Sequence, residues 1–337
     1  MQKPILNITM PVWNRFYLTQ KAIISLKKAK NSIPYVLTVV DNGSSEEMQK
    51  RLIEFKETGL IDNLFLLKKN YGISCACNIG WKMVDAPFYM KLDNDVMAVP
   101  PDPLGRLFAI WKHCKELSTI GAALNNEQIY KDPKRIQTPQ GDFGICTSNL
   151  IGYSIIIPKK VSDILGYWNE DYHLYGGEDG DYGLRMRCAG FPQYYYEKDA
   201  FFRHEGTGEN GGYTDLDKGK EHKDLFWDSA GGIGLFSINE ILYTLCIRYW
   251  RVPQRYRIRD VDGYYVEVEE DPAYEPVRDA LQKSKKIIDR IFRDTVGGLH
   301  FYKVTSEDQQ ALHEIWKVSP ADAIFTNRSI PGERSDD

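Results

Sequence analysis

"FYMKLDNDV", Phe88 to Val96, is an apolar, strand-like run that stops abruptly in Asp93-Asn94-Asp95. Two carboxylates one residue apart, at the carboxyl end of a buried strand, stand where an α/β protein holds a metal and a phosphate-bearing ligand. A solvated loop after a finished strand is the plainer reading, and the motif alone does not choose. Asp-x-Asp recurs at Asp179/Asp181, Asp215/Asp217 and Asp260/Asp262, so context has to separate the four.

The context is a strand–helix alternation. "ILNITMPV" alternates as a strand, and "FYLTQKAIISLKK" follows with Leu18, Ala22, Ile23 and Leu26 on one helical face. "YVLTVVDNGS" is a β-branched run ending in a turn. Ser44 and Glu47 then have capping-box spacing for a helix through Phe55. "NLFLLKK" reads as a third strand, "ISCACNIGWKMV" as a helix and "FYMKLDNDV" as a fourth strand. Such repetition implies an α/β fold, a mostly parallel sheet with helices on both faces. Ligands then bind outside the carboxyl ends of the strands. Asp41, Asn70 to Gly72 and Asp93 to Asp95 all follow such ends, so three polar clusters converge on one edge.

Further on, "NLIGYSIIIPKKVSDIL" reads as a strand and a helix, and "YGGEDGDYGLRMRCAG" as a glycine-rich loop entering a helix. "PQYYYEKDAFFRHEG" reads as one strand ending at His204, and residues 206–220 as a polar mobile loop. After that come two helical patterns, a hairpin turning at Asp262-Gly263 and a frayed tail.

Composition bounds the function classes. The 337 residues, 42% hydrophobic and 27% charged, describe an ordinary globular chain. A net charge of −4 argues against general nucleic-acid binding. No apolar run approaches the roughly 20 residues that span a bilayer. The N-terminus reads as the first strand and not as a signal peptide. The six cysteines are scattered; Cys75-x-Cys77 lacks a second pair or a nearby histidine for zinc. Reduced, structural thiols in a cytoplasmic protein are expected.

The order "MPVWNR", "VVDNGS", "NYGISCACNIG", "LDND", "GGED" and a later His resembles a family-2-type glycosyltransferase of the GT-A fold, over residues 4 to 210. The resemblance implies a nucleotide-sugar donor, expected to be a UDP-sugar, whose departing diphosphate is neutralised by Mn²⁺ or Mg²⁺. It implies Asp95 as direct metal ligand and Asp93 on the ribose hydroxyls or a metal-bound water. Asp41 would accept a hydrogen bond from the base, with Arg15 near the base or phosphates. Pro11, Gly72, Asn78 and Asn94 complete the donor side. Asn42 stands where the family often has an acid, which leaves the base open. In "GGED", Asp179 would be the catalytic base and Glu178 the grip on an acceptor hydroxyl; a helix start rich in acids is the plain alternative. His204 would be a further metal ligand, favouring Mn²⁺. Tyr167, Trp168 and Tyr175 are candidates for stacking on the acceptor, or for ordinary packing.

The function expected is an inverting, metal-dependent, non-processive transfer of one sugar to a glycan or other hydroxyl-bearing acceptor. Retention would need no base in the G-G-E-D loop. Processive membrane synthases carry Q-x-x-R-W and transmembrane helices, and neither is found here. Two alternatives stand beside it: a nucleotidyltransferase making sugar nucleotides, although "MPVWNR" lacks the glycine-rich phosphate loop, and a carbohydrate-binding module that kept the fold. Residues 1–100 are read as the nucleotide-sugar half, 101–220 as the acceptor half, and 221–337 as an extension that could carry homo-oligomer contacts.

Overall fold

The strand expected over "ILNITMPV" forms as β1 (Leu6–Val12), buried along its whole length. The computed structural model describes residues 4–122, 135–147, 151–172, 174, 176–196, 200–205, 234–293 and 304–317. The readings of 206–220 as a loop, of Asp215/Asp217 and of the tail fall outside them. β1 pairs in parallel with β2 (Tyr35–Asp41) on one side and β4 (Phe88–Leu92) on the other. β2 pairs in parallel with β3 (Asn63–Leu67). Helices α1 (Phe16–Lys28), α2 (Glu46–Glu57) and α3 (Ile73–Met83) make the connections, which is the alternation read from the sequence.

The two-residue period of β1 decides which helix packs where. Leu6, Ile8 and Met10 join the cluster that takes in Ala22, Ile23 and Leu26 of α1, Leu52 of α2 and Leu107 of α4 (Pro103–Trp111). Asn7 and Thr9 face α3 instead. The Asn7 amide donates to the carbonyls of Gly80 and Val84, 2.9 Å each. A Cβ on Gly80 would lie 2.4 Å from the Thr9 side chain, so only glycine lets the helix sit this close. The cap of α2 differs from expectation by one residue. Ser45 accepts from the Met48 N–H at 3.3 Å, while the Ser44 hydroxyl accepts from the Asn14 N–H across the strand ends.

Beyond β4 the sheet becomes mixed. β9 (Ile151–Pro158) runs antiparallel to β4, followed across the sheet by β6 (Thr119–Ala122), β10 (Gln193–Tyr196), β8 (Phe143–Thr147) and β7 (Arg135–Gln137). The single strand expected in "PQYYYEKDAFFRHEG" is two: β10, and β11 (Phe202–His204), which pairs antiparallel with β5 (Val96–Ala98) in a separate small sheet. On the α3 face, α5 (Lys159–Leu165) and α6 (Glu178–Cys188) pack around Trp81, Trp168, Tyr182 and Met186.

The C-terminal part adds to this frame. The expected hairpin forms as β12 (Tyr256–Asp262) and β13 (Tyr265–Glu270), and β13 pairs in parallel with β3, extending the sheet. Cross-strand pairs Arg257–Glu269 and Arg259–Glu267 leave the edge charged, which discourages pairing with another sheet. Helices α7 (Leu235–Thr244), α8 (Glu275–Arg293) and α9 (Ser306–Trp316) enclose their own core around Ile238, Leu242, Leu281, Ile288 and Leu312. Among the described residues no helix is long and apolar enough to cross a membrane.

Candidate active site

Asp93 to Asp95 leave β4 at the carboxyl edge of the parallel strands, and two neighbouring turns reach over them. The chain leaving β1 passes through Asn14 and Arg15 with φ 54° and 60°. Each left-handed non-glycine residue costs about 1–2 kcal/mol, strain of a kind that clusters at ligand sites. The reversal puts Arg15 at the start of α1, with Nη1 2.9 Å from Asp95 Oδ2. From the other side, the β5–β11 ladder places His204 opposite Val96, and the Glu205 N–H donates to the Asp95 carbonyl at 2.9 Å. His204 Nε2 thereby lies 3.3 Å from Asp95 Oδ1. Burial pushes the Asp95 carboxyl up, but His204 and Arg15 outweigh it and hold it below the usual carboxylate range. The hydrogen bond to Asp95 raises His204 in turn.

Among the described residues no three His, Cys, Asp or Glu side chains gather around one point for a metal. The protein offers the pair Asp95 and His204. Their 3.3 Å separation is close to the ~3 Å between adjacent positions of an octahedral shell with ~2.1 Å bonds. An acid and an imidazole suit Mn²⁺, with phosphates and water as the other ligands. The residues present therefore fit such an ion.

Asp41, at the end of β2, is fully buried. Its Oδ2 accepts from the Ser44 N–H at 3.1 Å and from Gln49 at 2.8 Å, while its Oδ1 has no partner in the protein. Burial pushes this carboxyl up. An orphaned buried acceptor costs about 1–3 kcal/mol, which a ligand donor would recover. Asn42 pins the next loop: its amide donates to Asn70, its oxygen accepts from the Tyr71 N–H, and Asn70 also accepts from the Gly72 N–H. Gly72, at φ 92°, starts α3. Pro11 is buried in β1 opposite Val40.

The expected acceptor side lies at the start of α6. Gly176 and Gly177 have φ 95° and 91°, and a Cβ on Gly177 would lie 2.7 Å from the Tyr172 ring, so that ring fixes the turn. Glu178 is buried, with Oε2 accepting from the Gly176 N–H at 3.1 Å. Burial, opposed by Lys91, pushes its carboxyl up to about 7. Asp179 accepts from the Gly180 N–H at 2.7 Å and from the Gly152 N–H of β9 at 3.0 Å. Asp181 points inward and is fully buried. It accepts from Asn169, Tyr172, Arg185, Asn239 and Tyr243. Arg248 bridges Asn239 and Asp171, and the Tyr274 hydroxyl also donates to Asp171.

Three expected ligand contacts are spent elsewhere. Asn78 is 0% exposed, donating to the Trp168 carbonyl and Glu170 while accepting from the Trp168 N–H, so it pins α3 to that loop. Trp168 is 1% exposed, its ring tilted against Trp81 and Tyr182 with centroids 5.7 and 4.9 Å away, which leaves no face for a sugar. The Asn94 amide donates to the Thr19 hydroxyl at 2.9 Å. Tyr167 is half-buried against Trp81, and Tyr175 lies outside the described residues. Two residues escaped sequence reasoning. The Tyr153 ring lies 5.2 Å from that of His204, and its carbonyl accepts from the Asp93 N–H. Lys91, 2% exposed, lies between Asp93 and Glu178. A lysine inside "FYMKL" was the available signal, because lysine is almost never fully buried unless paired.

No protein-family model matches the chain. A chondroitin synthase of Pasteurella multocida is 22% identical over 233 residues, which are 55% of this chain and 23% of that protein. The structure of GalNAc-T7 with UDP, GalNAc and Mn²⁺ superposes with a TM-score of 0.54 at 13% identity, covering 99% of this chain and 60% of that one. TarS of S. aureus in complex with UDP overlaps 59% of each chain with a TM-score of 0.44 at 14% identity. The chain thus has the GT-A glycosyltransferase fold. The expectation drawn from "LDND" and "GGED" was the same.

Proposed function

We propose that the chain is the catalytic unit of an inverting, metal-dependent glycosyltransferase that moves one sugar from a UDP-sugar to an acceptor hydroxyl. One observation carries the reading. Asp95, His204 and Arg15 gather at the end of β4, Glu178 and Asp179 at the start of α6, and Lys91 joins the two groups through Asp93 and Glu178. The relative named chondroitin synthase and the GalNAc-T7 structure, which holds UDP, support a nucleotide-sugar donor.

In this reading the free Asp41 Oδ1 accepts a hydrogen bond from the base. Asp93 holds the ribose hydroxyls, and Arg15 lies over the phosphates. Asp95 and His204 hold Mn²⁺ or Mg²⁺, which supplies charge neutralisation for the departing diphosphate. The two N–H bonds to Asp179 fix its carboxylate, which takes the acceptor proton as the new C–O bond forms. A carboxylate is a weak base, so it helps mainly in the transition state, once the hydroxyl has become acidic. Glu178 orients the acceptor. Attack opposite the leaving group inverts the anomeric centre. The sequence has no Q-x-x-R-W element, which supports single addition.

The test is calorimetry of UDP with and without Mn²⁺. It is followed by UDP release from UDP-glucose, UDP-galactose, UDP-GlcNAc, UDP-GalNAc and UDP-glucuronate, with simple glycosides as acceptors. Mn²⁺-dependent UDP binding, and a product of inverted configuration by NMR, are expected. Binding of glycans without UDP release would mean a binding module. Pyrophosphate release from a nucleoside triphosphate and a sugar phosphate would mean a nucleotidyltransferase.

A further inference from the structure

We infer that Lys91 is a positioning residue that ties Asp93, on the donor side, to Glu178, on the acceptor side, and so sets the two groups relative to each other. The inference rests on the glycosyltransferase reading above. Lys91 lies on β4 with its side chain 3% exposed, and Nζ is 3.1 Å from Asp93 Oδ1 and 3.5 Å from Glu178 Oε1. The Trp168 ring, 5.8 Å from the ammonium, closes one flank. Gly152 of β9 forms the floor: a Cβ there would lie 2.9 Å from Lys91 Nζ and 3.1 Å from Asp179 Cβ. The same glycine holds Asp179 through its N–H, and the next residue, Tyr153, holds the Asp93 backbone.

A buried ammonium costs several kcal/mol unless it is well paired. The two carboxylates that pair this one come from different elements, the β4–β5 turn and the start of α6. An ammonium has three donors, so it serves both acids at once. Without it the ion pairs that run from β4 to Asp93 and to Glu178 are both lost, and the Glu178 carboxyl, left with the Gly176 N–H, is free to turn away from the acceptor. Glu178 already carries the upward push of burial, and Lys91 is the largest influence opposing it.

The experiment compares Lys91→Met, Glu178→Gln and the double variant. UDP affinity in Mn²⁺ is read by calorimetry and kcat by release of UDP from the active member of the UDP-sugar panel. Lys91→Met should lower kcat by about 100-fold, the lower end of a positioned acid–base contribution, with UDP affinity changed by less than about tenfold. If Lys91 acts through Glu178, the double variant should be no slower than the worse single one. Fully additive losses, or a Lys91→Met kcat within about threefold of wild type, would overturn the inference.

Should Lys91→Met melt below the assay temperature, Gly152→Ala displaces the ammonium without removing its charge. Because Gly152 also holds Asp179, the variant is compared in the Asp179→Asn and Glu178→Gln backgrounds: a kcat loss that persists in the first and vanishes in the second supports the tie, and the reverse pattern, or a wild-type kcat, overturns it. Failure of the glycosyltransferase reading looks different, because the wild-type chain would then bind no UDP with Mn²⁺ and release none. In that event amide exchange over residues 176–181 decides. Faster exchange in Lys91→Met supports the tie, and unchanged exchange overturns it.

Discussion

Glu178→Gln removes a charge that the fold holds at a cost, and that cost can be read as a pH dependence. Glu178 is 4% exposed, and burial displaces its carboxyl from the ordinary 4.5 to about 7. Between those values the folded chain binds a proton that the unfolded chain has released. Stability therefore falls as pH rises through this window and is fully reduced above about 7. At 1.36 kcal/mol per pH unit the displacement is worth about 3 kcal/mol. Gln keeps the size of the side chain and does not titrate. Urea unfolding of both proteins at about pH 5 and about pH 8 should show the wild type losing about 2 kcal/mol more than the variant, since pH 5 already lies inside the window. Lys91, Asp179 and Asp93 are electrostatically linked to Glu178, so the difference reports Glu178 together with these neighbours. Parallel pH dependences would refute the buried, proton-binding state of Glu178.

Three further outcomes follow from the site. Asp95→Ala should weaken Mn²⁺-dependent UDP binding by more than the roughly 10–100-fold that even outer-shell partners are worth, and EDTA should stop turnover; full activity in EDTA would remove the metal from the scheme. Asp41→Asn should weaken UDP binding by about 1.5–3 kcal/mol, the worth of a hydrogen bond to a charged group, as read by calorimetry; an unchanged affinity would return Asp41 to turn chemistry. Asp179→Asn should slow transfer by about 10²–10⁴-fold while UDP affinity holds, and a product that kept the donor's anomeric configuration by NMR would rule out the inverting scheme.

The parallel half was legible because its strands are short, mostly apolar runs, and three of them end in polar turns, at Asp41, Asn70 and Asp93. The Asp-x-Asp at the end of β4 separated itself from the others by that context: Asp260/Asp262 lies in the hairpin strand β12, and Asp181 turns into the core. The break between β10 and β11 was not legible, since no glycine or proline interrupts "YYYEKDAFF". The meeting of His204 with Asp95 depends on the antiparallel register of β11 on β5, which local sequence does not encode. Burial deceived at Asn78 and Trp168. Both sit in stretches that read as ligand-facing, but the packing of Trp81 and Tyr182 around them is a tertiary matter. Lys91 was visible as an oddity, and its meaning came only when α6 supplied Glu178.

The inward network around Asp171 and Asp181 also has a consequence for timing. The side-chain donors named for Asp171, Arg248 and Tyr274, both follow it in the chain, as do Asn239 and Tyr243 for Asp181. A ribosome delivers the acids well before these partners. Until the last third of the chain is made, Asp171 is a carboxylate awaiting its cation, and the Tyr172 ring that shapes the Gly177 turn lacks its Asn239 contact. The acceptor-side turn therefore gains its full set of contacts only once the last third of the chain has been made.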